Sequence, residues 1–127
     1  GPAGSRYFGI SPTRTLDTRD GTGTGTVGRL GPGGTIDLPV AGVGGVPPSG
    51  VTAVVLNVTV TDPTGPDSFL TLFPSGTARP LASNLNFVAG ETVPNLVVVR
   101  VQNGRVSIFN NLGATHVVAD VQGWFAS

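Results

Sequence analysis

The chain of 127 residues has no cysteine and no methionine, and all seven of its positive charges are arginine, with no lysine. Without cysteine neither a disulfide framework nor a thiolate-bound zinc can form. Charged residues are only 11% of the chain and sum to a formal net charge of zero. That leaves no basic field for nucleic acid or for an anionic lipid surface. No apolar run approaches the roughly 20 residues that a membrane-crossing helix requires. The opening Gly1-Pro2-Ala3-Gly4-Ser5 reads as a protease-cleavage and cloning scar. Residues 6–127 are accordingly expected to be one module excised from a larger protein.

What is abundant is glycine (20) and proline (11), set between dense runs of valine, leucine, isoleucine and phenylalanine. Helical periodicity is nearly missing, and alternation is common. In Val51–Thr61, Val54, Leu56, Val58 and Val60 fall on one face and Val55, Asn57, Thr59 and Thr61 on the other. Ser68–Phe73 is a second strong strand, and Ala82–Phe87 sets Leu85 and Phe87 against Asn84 and Asn86. Further strands are expected in YFGISPTRTLDT, TIDLPVAG, TVPNLVVVRVQ, RVSIFN and THVVADVQGWF, with Asn103-Gly104 as a tight hairpin turn. About eight short strands separated by glycine- and proline-rich turns predict an all-β fold, an antiparallel β-sandwich of jelly-roll type.

The phrases SPTRTLDTRDGTG, GVPPSGVTAVVLNVTVTDPT, FLTLFPSGTARPLASNLNF, TVPNLVVV and VSIFNNLGATHVVADVQGWF occur in this order between about Ser11 and Phe125. Together they resemble a repeat module of secreted actinobacterial proteins, found in tandem or beside cell-wall amidases, proteases and glycoside hydrolases. Such modules commonly read Asn-Gly where this chain has Asp20-Gly21, and tyrosine where it has Trp124. The resemblance implies a secreted or cell-surface, non-catalytic accessory domain for cell-surface or carbohydrate binding, with tandem copies in the parent chain.

The charge-rich phrase Leu16–Asp20 and the Gly/Thr run after it match no phosphate loop, since no lysine or helix follows. Asp17 and Asp20 lack the alternation and distal glutamate of an EF-hand; a looser calcium site from Asp17, Asp20 and backbone carbonyls is the weaker alternative. The preferred reading is a clasp in which Arg19 pairs with an acid such as Asp17 or Asp120. The run Gly21–Thr26 is then a mobile loop. His116, the only histidine, shares a strand face with Asp120, but four strand residues span roughly 13 Å, too far for a triad hydrogen bond. No G-x-S-x-G elbow is present, and no pair of acids stands out as glycosidase carboxylates. No enzyme and no obligatory cofactor are expected.

The expected binding face lies on the last strand, where alternation aligns His116, Val118, Asp120, Gln122 and Trp124 against Val117, Ala119, Val121 and Phe125. An indole stacks on a pyranose, and side-chain amides match vicinal hydroxyls. Asn110 and Asn111 are added as nearby amides. Asn84, Asn86 and Asn95 are read chiefly as locks on backbone groups at strand boundaries. The leading expectation is therefore a carbohydrate- or cell-wall-binding module holding an extracellular glycan. The alternative is a structural spacer or protein-interaction domain. An exposed Trp124 ring with unpaired polar groups would favour binding; a buried ring with satisfied asparagines would favour the spacer.

Overall fold

A computed structural model of the chain describes residues 5–127, so the expected scar at residues 1–5 falls outside it except for the exposed Ser5. Eight strands are present: β1 (Arg6–Asp17), β2 (Thr35–Pro39), β3 (Val51–Thr61), β4 (Ser68–Pro74), β5 (Leu85–Phe87), β6 (Val93–Arg100), β7 (Arg105–Asn110) and β8 (His116–Ala126). They form two four-stranded antiparallel sheets in the orders β1-β8-β3-β6 and β2-β7-β4-β5. This is the jelly-roll order expected from the strand count and turn spacing. No helix occurs among the described residues, hence none long and apolar enough to cross a membrane.

The core lies between the sheets. Val54, Leu56, Val58 and Val60 of β3 are fully buried, facing Leu70 of β4 and Val106 and Ile108 of β7 in one continuous apolar cluster with Leu85 and Phe87. The alternation of β3 thus does what its sequence dictates: one face fills the sandwich and the other faces outward.

Asn103-Gly104 makes a tight turn, with positive φ at both residues and reciprocal backbone hydrogen bonds between Gln102 and Arg105. It does not make the expected sheet hairpin, because β6 and β7 belong to opposite sheets. The turn carries the chain across the sandwich edge. The Gly/Thr run is also not the free loop expected. Thr22 pairs with Asp17, Gly25 N donates to Gly21 O at 2.8 Å, and Gly28 N donates to Thr18 O at 2.8 Å. Gly23 has φ +88° and presses on the backbone of Thr15, where any Cβ would collide.

Candidate functional site on the outer sheet face

Directly opposed residues of neighbouring strands share a sheet face, so the register defines the outer surface of β1-β8-β3-β6 as a grid. Its first row is Tyr7, Phe125, Ala53 and Arg100; its second is Gly9, Gly123, Val55 and Val98. The third is Arg14, Asp120, Asn57 and Leu96, and the fourth is Asp17, Val118, Thr59 and Pro94. Successive rows lie roughly 7 Å apart.

The grid is not the face that alternation alone predicts for β8. Gly123 opposes Val55 while Val121 opposes Leu56, which leaves Gln122 as an extra residue in a bulge. The bulge reverses the phase of the strand. Trp124 therefore turns to the core side, opposite Val54, and Phe125 comes to the outside. The expected alignment of Trp124 with His116 and Asp120 is corrected accordingly. The Trp124 ring is half-buried and stacks on Phe8 at 4.2 Å between centroids, 15° from parallel.

In place of Trp124, Tyr7 supplies the exposed aromatic surface. Gly9 and Gly123 oppose each other, so two strands lack side chains at one spot, and the Tyr7 ring lies across them. A Cβ on Gly123 would fall within the ring. Tyr7 Oη donates to Gln122 O at 3.3 Å, and Phe125 flanks the ring with centroids 5.0 Å apart. Tyr7 nevertheless remains 51% exposed. The sequence signal for this platform was a glycine in each of two strands that come to pair, which one strand by itself does not reveal.

Polar groups follow in the third row. Asp120 Oδ1 accepts from Arg14 Nε at 2.9 Å, while its Oδ2 accepts nothing among the described residues. The half-buried Asn57 amide, paired across the strands with Asp120, likewise makes no hydrogen bond among the described residues. The Gln122 side chain is half-buried at the bulge. An aromatic face with a carboxylate oxygen and an amide beside it can stack an apolar sugar face and hydrogen-bond its hydroxyls.

The remaining predicted residues lie elsewhere. Arg19 does pair with Asp17 as a fork, Nε to Oδ1 and Nη2 to Oδ2, both at 2.9 Å. Arg19 N adds a third bond to Asp17 Oδ1 at 3.0 Å. Bonds from Arg19, opposed by a smaller desolvation effect, bring the Asp17 carboxyl down to about 2. Arg14, not singled out from sequence, joins Asp17 to Asp120. Asp20 Oδ1 accepts from both Thr22 N (2.9 Å) and Thr22 Oγ1 (2.7 Å). These bonds, chiefly that from Thr22 N, lower its pKa. Both Asp17 oxygens thus face guanidinium groups, and the pair Asp17/Asp20 does not fit a calcium ion. Among the described residues no three acids or histidines converge as a metal site.

His116 sits at the far end of β8 from Trp124, eight residues or roughly 26 Å along the strand. Its Nδ1 is 2.9 Å from Thr18 Oγ1, which accepts from Val117 N at 3.0 Å. Burial, then the positive charge of Arg29, lowers the His116 pKa. Thr18 is itself buried and cannot present a nucleophile. Asn110, expected near the ligand, is fully buried. It donates to Leu30 O, Gly31 O and Gly113 O at 3.0–3.2 Å and accepts from Ser68 Oγ at 3.0 Å. Asn111 lies in the adjoining loop, also remote from Trp124.

The other asparagines divide. Asn84 Oδ1 accepts from Leu72 N at 2.7 Å, and Asn84 O accepts from Asn95 Nδ2 at 2.7 Å, tying β6 of one sheet to the β4–β5 edge of the other. Asn86 is exposed, and among the described residues its side chain bonds only Ser83 Oγ, at 3.3 Å. No protein-family model matches the chain, and no curated protein or solved structure is significantly similar to it.

Proposed function

We propose that this chain is a non-catalytic carbohydrate-binding accessory module that acts in a secreted or cell-surface protein of the actinobacterial type it resembles. Its ligand is an extracellular or cell-wall glycan, and tandem copies would raise a weak single-site affinity through avidity. The observation that carries the reading is the Tyr7 ring, half exposed on a bed of two glycines with Asp120 and Asn57 one row away. Ring stacking holds the apolar face of a pyranose, while the carboxylate oxygen and the amide select its hydroxyls. The site is shallow and preformed, which suits binding of a chain that continues beyond it. The non-catalytic part of the reading rests on the engagement of His116 by the Thr18 hydroxyl, which is buried.

The spacer or protein-interaction reading draws support from the half-buried, stacked Trp124 and from the structural use of Asn84, Asn95 and Asn110. A glycan array probed with the wild-type module, Tyr7→Ala and Trp124→Phe separates the two. Binding lost in folded Tyr7→Ala and retained in Trp124→Phe is the expected result. A folded wild-type module silent across neutral and acidic glycans would leave the spacer reading in possession.

A further inference from the structure

Arg100 ends the row that begins with Tyr7, and with Arg105 it is set apart from the other five arginines. Arg14, Arg19 and Arg29 pair with acids. Arg79 lies 3.6 Å from the Phe109 ring centroid and Arg6 lies 5.6 Å from that of Phe8. Arg100 is exposed and has neither kind of partner among the described residues. It lines a hollow of about 440 Å³ on the outer face together with Ser5, Thr52, Ala53, Val98, Phe125 and Ser127, with no aspartate or glutamate side chain in the wall. Thr52 Oγ1 donates to Phe125 O at 3.2 Å, so towards a ligand the hydroxyl oxygen is left as an acceptor. Phe125 belongs both to this hollow and to the Tyr7 platform, making the two continuous. Arg100 lies two strands from Phe125, roughly 10 Å across the sheet.

We propose that the glycan held on the Tyr7–Phe125 platform is acidic, and that Arg100 binds the carboxylate of a uronic acid residue seated in the adjoining hollow. This rests on the platform reading above. A guanidinium matches a carboxylate through two parallel N–H donors, and an unpaired arginine beside an apolar wall supplies the charge complementarity that a neutral sugar would leave unused. The acid of the third row does not oppose such a ligand strongly, because Arg14 already engages Asp120.

The test is calorimetric titration of the folded module with galacturonate and glucuronate trimers and with the same trimers as methyl esters. Esterification removes the charge and keeps the sugar. At least one acid trimer should bind about tenfold or more tightly than its ester. Arg100→Gln should bring the two to equal affinity, Arg100→Lys should keep part of the preference, and Tyr7→Ala should abolish binding of both. Equal affinity of acid and ester for the wild type, or an acid preference that survives in Arg100→Gln, overturns the inference. Loss of neutral-glycan binding in Tyr7→Ala would still uphold the platform. Silence towards all the trimers also overturns the inference, and the array then decides separately whether the platform stands.

Discussion

At the scale of single residues, Asp17 concentrates the most consequence in the least surface. The residue is 4% exposed, and its carboxylate takes three bonds from Arg19 and a longer one from Arg14. Removing Arg19 leaves a buried charge on the outer sheet face with its chief partner gone, so Arg19→Ala should lower stability by about 2 kcal/mol. The half-exposed guanidinium keeps the loss below that of a fully buried pair. Urea denaturation gives the value, and glycan affinity at a permissive temperature should be unchanged. The pH dependence has a definite sign. The Asp17 pKa is lowered from 3.8 to about 2 in the folded protein, so its contribution is fully present above about pH 4 and is lost as pH falls towards 2. Asp17→Asn should flatten the stability profile over that interval, as thermal melts between pH 2 and 5 would register. Asn110→Ala belongs at this scale too. It strips a donor from three carbonyls, two of them partly buried, and should cost about 3 kcal/mol by the same denaturation measurement.

At the scale of the element, the bulge at Gln122 decides which aromatic does what. Trp124 packs on the core and stacks on Phe8, so Trp124→Ala should destabilise the fold by about 3 kcal/mol. Tyr7→Ala removes an exposed ring and should change stability by less than about 1 kcal/mol while abolishing glycan binding. Gly123→Ala gives the cleanest test of the strand pair. Its Cβ meets only the far end of the Tyr7 side chain, which can swing away, so the fold should persist while the platform is displaced. A folded Gly123→Ala module with binding reduced tenfold or more, read by titration against an array hit, is the expected outcome. Alternation along β8 could not foretell this arrangement. A period of two assigns faces correctly only while each residue has one partner, and Gln122 has none in β3.

At the scale of the whole molecule, the jelly-roll order keeps consecutive strands apart. Of the successive pairs only β4 and β5 are neighbours in one sheet; every other ladder joins segments distant in the chain. Loop closure must precede nearly all the pairing, so refolding should be slow for a domain of this size, on the order of milliseconds to seconds. Stopped-flow fluorescence of the lone Trp124, stacked in the native state, follows it directly. The link from Asn95 to Asn84 fastens the β6 edge to the β4–β5 edge.

The amino-acid sequence by itself determined the fold class, the eight strand segments and the buried face of β3. Those properties follow from local composition and a period of two, and Val54, Leu56, Val58 and Val60 carry them without reference to distant residues. It also marked Arg19 as the clasp of an acid, Asp17 or Asp120, and the fold selects Asp17. Tertiary structure alone decided the candidate site. The Gly9–Gly123 bed, the Tyr7 ring on it, and the placing of Arg100 and Asn57 in rows with Phe125 and Asp120 all arise from register between strands far apart in the chain. Register is a property of pairs, and a single bulged residue is enough to change which side chains meet.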